Sequence, residues 1–183
     1  MGRTLISNII RIIFVIFLQA LVINRLDLMG GLIFPFIYIH AILMLPLETP
    51  RWLSLPIGFV IGMIMDGFMN TPGFHASACL WLAFLMPVIK GFLSPRDGYD
   101  FGQQPTVQSM GLRWYLVYAA ILTFIHHLWL FNIEFFRFSE ILSTLARVTV
   151  SSLATVLLLV LFQFLTYAQR TRQWMSWGIE CLS

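Results

Sequence analysis

Apolar residues fall into six long runs, 4–23, 30–47, 52–69, 76–93, 112–131 and 145–168, separated by short polar breaks. A helix needs about 20 apolar residues, within roughly 17–25, to cross a hydrocarbon core. All six runs qualify. They are continuously apolar and lack the alternation of a membrane β-barrel. Backbone groups in lipid must find internal partners, so each run is predicted to be a helix. The breaks carry turn chemistry: Met29-Gly30-Gly31, Thr49-Pro50, Thr71-Pro72-Gly73 and Ser94-Pro95-Arg96-Asp97-Gly98. The longest connections are 94–111 and 132–144. The first run opens on Arg3, but no small-residue cleavage site follows Ala20, so it reads as a retained helix. The predicted fold is all-α and polytopic: one six-helix transmembrane domain over 1–170 and a short tail, 171–183.

Composition agrees. Hydrophobic residues make up 59% of the 183 and charged residues 10%, against roughly 45–50% and about 25% in a soluble domain. A disordered chain is excluded, because it needs low hydrophobicity and high charge. A soluble globule would lack the polar side chains to coat its surface. The net charge is +3, with no Lys/Arg cluster of the kind that binds nucleic acid.

The charges lie between the runs and set an orientation. With the N-terminus inside, Arg3, Arg51, Lys90, Arg96, Arg113, Arg170 and Arg172 face the cytoplasm, and Arg25 and Arg137 face out. That bias predicts both termini in the cytoplasm. Trp52, Trp114, Trp129 and Tyr167 fall at run ends, where amphipathic rings anchor. The two cysteines, Cys79 and Cys181, lie too far apart on this map to pair.

Ionisable residues at membrane depth are functional candidates by default. Arg11 and Lys90 lie toward inner ends and are expected to snorkel to the interface. Asp66 cannot reach so far. It continues a four-residue series, Ser54, Gly58, Gly62 and Asp66, on one helix face. Small residues let a neighbouring helix approach closely, so that face is predicted to pack. Thr144, Arg147, Ser151 and Ala154 form a second such face on the last run. Asp66 and Arg147 then sit at equal depth and are expected either to pair or to find separate backbone or water partners. His126 and His127 are adjacent and point about 100° apart, which suits neither chelation nor H-x-x-x-H geometry. They read as satisfied polar side chains. His40 has no relay partner beside it in sequence. No nucleophile elbow, phosphate loop, dinucleotide fingerprint or zinc motif is present, so no enzyme and no cofactor are expected.

The stretch from Gly58 to Ala78, with its glycine-bearing helix, Asp66, and the turn Pro72, Gly73, His75, Ala76, resembles the MreD family of bacterial rod shape-determining membrane proteins. The loops Leu45-Pro-Leu-Glu-Thr-Pro-Arg51 and Leu93-Ser-Pro-Arg-Asp-Gly-Tyr99 resemble one subgroup. The resemblance covers about 5–170 and implies several things. The protein would lie in the inner membrane as a non-enzymatic elongasome subunit. It would bind MreC, and through it be linked to MreB filaments and the RodA/penicillin-binding transpeptidase pair that builds lateral peptidoglycan. Its fold would be similar to the substrate-binding subunits of energy-coupling-factor transporters. The inner loop with Arg96, Asp97, Tyr99 and Asp100 is a candidate partner surface. The alternative is a vitamin-binding transport subunit. Against it, the first run has only Ser7 and Ala20 as small residues for docking.

Overall fold

The computed structural model describes residues 2–25, 32–134 and 141–180, with side chains at 9–25, 32–134 and 141–166. Arg137, Cys181 and the side chains of Arg3, Arg170 and Arg172 lie outside the described residues, as does most of the predicted tail's detail. The regular elements among the described residues are all helices. These are α1 (Gly2–Leu21), α2 (His40–Leu43), α3 (Arg51–Met69), α4 (Phe74–Phe92), α5 (Val107–Met110), α6 (Leu112–Glu134) and α7 (Ile141–Glu180). Short 3-10 turns occupy Ile23–Arg25 and Ile37–Ile39.

Among the described residues, four stretches are long and apolar enough to cross a membrane: α3, α4, α6 and Ile141–Thr166 of α7. They pack in chain order, α3 on α4, α4 on α6 and α6 on α7. α1 packs on α3, and its Phe14 ring stacks on Phe162 of α7 at 6.2 Å. Outward faces are apolar, as in Ile9, Ile13 and Phe17 of α1 and Leu153, Leu157 and Leu161 of α7. Such a surface suits lipid and not water.

The second predicted helix, 30–47, does not form as one element. From Leu32 to Phe36 the chain is irregular. It then makes the 3-10 turn and the four-residue α2, and runs on irregularly to Pro50. Pro35 lacks an N–H and disfavours helical geometry at Phe34, and Pro46 acts likewise on Leu45. Residues 35–45 are nonetheless buried throughout. The segment lies inside the bundle, against α1, α3, α4 and α7. Irregular backbone is tolerated at membrane depth only when protein surrounds it and satisfies its polar groups. The expectation of a helix assumed that lipid would be the neighbour.

The turn between α3 and α4 is tight. α3 ends at Asn70 in the left-handed region (φ 56°), and Gly73 (φ 88°) opens α4. Glycine adopts that φ without strain.

Candidate functional site

On the small-residue face of α3, Ser54, Gly58, Gly62 and Asp66 are all buried. A Cβ on Gly62 would sit 2.4 Å from Ala76 Cα and 2.7 Å from Ala76 N. One on Gly58 would meet the Cys79 carbonyl oxygen at 3.0 Å. α4 therefore lies directly on the α3 backbone. Ser54 Oγ turns back and donates to the Arg51 carbonyl at 3.2 Å.

That closeness brings the start of α4 onto Asp66. The His75 and Ala76 N–H groups donate to Asp66 Oδ1 and Oδ2 at 3.0 and 2.9 Å. Thr71 Oγ1 donates to Oδ1 at 2.6 Å. The carboxylate thus caps the helix that follows, where free N–H groups and the helix dipole favour a negative charge. Asp66 takes backbone partners, and Arg147 lies in the field of Glu134. The turn residues Pro72, Gly73, His75 and Ala76 are thus one structure, built on one carboxylate.

Residues 34–46 are held at both ends by side chains. Toward the Asn70 end, N–H groups meet neutral acceptors. Phe34 N–H donates to Ser151 Oγ and Phe36 N–H to Thr155 Oγ1, both at 3.1 Å. Ile37 N–H donates to Gln19 Oε1 at 2.7 Å, and Gln19 Nε2 returns a bond to the Pro35 carbonyl at 3.1 Å. Toward the Pro50 end, carbonyls meet donors. Tyr118 Oη donates to Leu43 O and Arg11 Nη2 to Met44 O, each at 3.1 Å. Lys90 Nζ donates to Leu45 O and Pro46 O at 3.4 and 3.1 Å. The snorkelling expected of Lys90 does not occur. Its side chain is 3% exposed, because orphan carbonyls inside the bundle need the ammonium more than it needs water. Arg11 is likewise turned inward, onto Met44.

Between these clasps, Tyr38 Oη lies 2.8 Å from both His75 Nδ1 on α4 and His126 Nε2 on α6. The Cys79 thiol donates to the same oxygen at 3.9 Å. Phe36 packs against His75 and His127, with ring centroids at 5.3 and 5.2 Å. His127 bridges the Thr123 carbonyl at 2.8 Å and Thr155 Oγ1 at 3.2 Å. The adjacent histidines therefore face different partners, as their angular separation predicts. His40 meets Gln163 Nε2 at 3.3 Å. Among the described residues no group of three His, Cys, Asp or Glu side chains is placed to hold a metal.

The candidate partner loop is a separate region. Arg96, Asp97 and Asp100 are exposed. Tyr99 Oη donates to the Lys90 carbonyl at 2.7 Å. Partial burial pushes its phenol above 10.0, so the donor proton stays in place at physiological pH. The Asp100 N–H donates to Gln103 Oε1 at 3.1 Å, and the Gly102 N–H bonds to Glu48. Trp114 Nε1 ties the end of α4 through the Leu93 carbonyl at 2.9 Å.

Sequence reasoning did not single out Gln19, Tyr38, Tyr118, Thr155 or Gln163. Their signal was available: each is a polar group set within an apolar run. Thr155 also lies one turn beyond Ser151 on the predicted polar face. Comparison with protein-family models, with curated proteins and with solved structures returns no match.

Proposed function

We propose that this chain is a non-enzymatic membrane scaffold of the MreD type, which binds MreC and supports lateral wall synthesis. In this reading α1 and the buried segment complete six crossings with both termini in the cytoplasm, and the bilayer is the bacterial inner membrane. The observation that carries it is where the interior polar groups are engaged. Gln19, Ser151, Thr155, Arg11, Lys90 and Tyr118 all bond the chain's own backbone. Catalysis or transport needs polar groups aimed at a guest. These maintain a shape, which is what an assembly subunit offers to other helices.

The family-like residues fit the same role, since Asp66, His75 and Ala76 close the α3–α4 turn. A vitamin carrier, the rival reading, needs internal space where Phe36 to Leu45 now pack. The loop with Arg96, Asp97, Tyr99 and Asp100 is the proposed partner surface, because its charged side chains are exposed while its backbone is tied down.

The test is co-purification of the full chain with MreC from membranes, alongside depletion in cells. The reading expects MreC to be retained and rods to round up. A stoichiometric vitamin in the purified protein, with no MreC, would establish the rival. For topology, a reporter at position 136 should be active only if exported and one at the C-terminus only if cytoplasmic.

A further inference from the structure

A phenol oxygen donates one proton and accepts through two lone pairs. Tyr38 Oη has three neighbours: His75 Nδ1, His126 Nε2 and the Cys79 thiol. The thiol is a donor here, so one imidazole must accept the phenol proton and the other must donate. Among the described residues, His126 Nδ1 is buried and meets no hydrogen-bond partner. Orphaned buried N–H groups are rarer in proteins than under-satisfied acceptors, so we assign the proton to Nε2 and leave Nδ1 bare. His126 therefore donates to Tyr38, and Tyr38 donates to His75 Nδ1. Both histidines are then neutral Nε2–H tautomers, and the one donor and two acceptor positions of the oxygen are filled.

We propose that Tyr38, His75 and His126 form a proton-operated latch on residues 34–46, closed when both imidazoles are neutral and opened when one takes up a proton. A proton on His75 Nδ1 turns the acceptor into a second N–H aimed at the phenol. The Tyr38 proton then loses its acceptor, and only the weak Cys79 sulfur is in reach. A proton on His126 fills Nδ1 with an N–H that has no acceptor. Each route unbalances the link between the segment and α4 or α6.

The titratable groups facing the latch are Asp66 from α3, Cys79 from α4 and His127 from α6. α1 presents Gln19 and, at the far end of the segment, Arg11 on the Met44 carbonyl; α7 presents Ser151, Thr155 and Gln163; of these only Arg11 is charged, and it stays charged across this pH range. The closed form holds fewer protons than the open one. Closure is therefore complete above the ordinary imidazole value of about 6.5 and weakens as pH falls below it. The latch stands apart from the scaffold reading, since it needs only the packed segment.

Cys79 is a built-in reporter, since it is fully buried behind Tyr38. The full chain carrying Cys181→Ser, in lipid nanodiscs, is reacted with dithiodipyridine, a thiol probe that works in acid. Rates are compared at about pH 7.5 and about pH 5.5, on either side of the ordinary imidazole value. The latch predicts a rise of about tenfold on acidification, the factor supplied by one hydrogen bond near the top of its usual range. In Tyr38→Phe the rate is already high at the upper pH and changes little. A flat rate in the parent, or the same acid-dependent rise in Tyr38→Phe, overturns the proposal. If Tyr38→Phe does not fold, ring-nitrogen NMR of the parent decides. Neutral Nε2–H tautomers at His75 and His126 that are lost in step with Cys79 labelling support it. Nδ1–H tautomers or imidazolium at the upper pH sink it.

Discussion

Runs 30–47 and 52–69 are equally long, and each contains proline, but they fold differently. The second becomes α3, with Pro56 inside it. The first becomes a buried, mostly irregular thread. Proline alone does not separate them, because α4 also contains Pro87. What differs is who satisfies the backbone. α3 bonds to itself and offers neighbours a glycine face. Residues 34–46 bond to side chains from α1, α4, α6 and α7. Apolar length decides that a stretch leaves water; available polar partners decide whether it must be a helix.

The largest expected effect lies on the α3 side. Gly62→Leu places a side chain where Ala76 Cα is 2.4 Å from a mere Cβ. It should cost more than about 3 kcal/mol, beyond ordinary overpacking, and prevent recovery of a monodisperse protein in detergent. Next is the thread. Gln19→Leu leaves the Ile37 N–H and the Pro35 carbonyl unpaired in the interior. At about 1–3 kcal/mol for each buried orphan, it should destabilise by about 2–6 kcal/mol in thermal unfolding. If it is nearly neutral, the thread does not depend on its side-chain partners and the contrast with α3 fails. Lys90→Met should cost about 1–3 kcal/mol by removing a donor from two carbonyls. Gly58→Ala, whose Cβ would meet Cys79 O at 3.0 Å, should cost about 1 kcal/mol, at the low end for overpacking. Arg147→Gln sets the floor, below about 1 kcal/mol, as expected of a partly exposed charge near one carboxylate.

The two regions also differ in how far sequence reveals them. Asp66 and its partners are 5 to 10 residues apart. A four-residue period followed by a Pro-Gly turn therefore marks both the packed face and the hairpin. The acceptors of the thread are distant: Ser151 and Thr155 lie 117 and 119 residues from the N–H groups they receive. No local pattern links them, and hydropathy averages over Gln19 or Thr155 without registering either. The same blindness sent Lys90 to the interface. Its depth is visible in sequence, but the carbonyls that hold it belong to another element.

That separation matters while the protein is being made. Residues 34–46 leave the ribosome long before Ser151 and Thr155 exist. At about 5–20 residues per second, the gap is roughly 6–24 s. During that interval the nascent thread has neither a helix of its own nor its final acceptors. The insertion machinery must shelter it until the last helix arrives, so slow or truncated synthesis of the C-terminal third should expose it to membrane quality-control proteases.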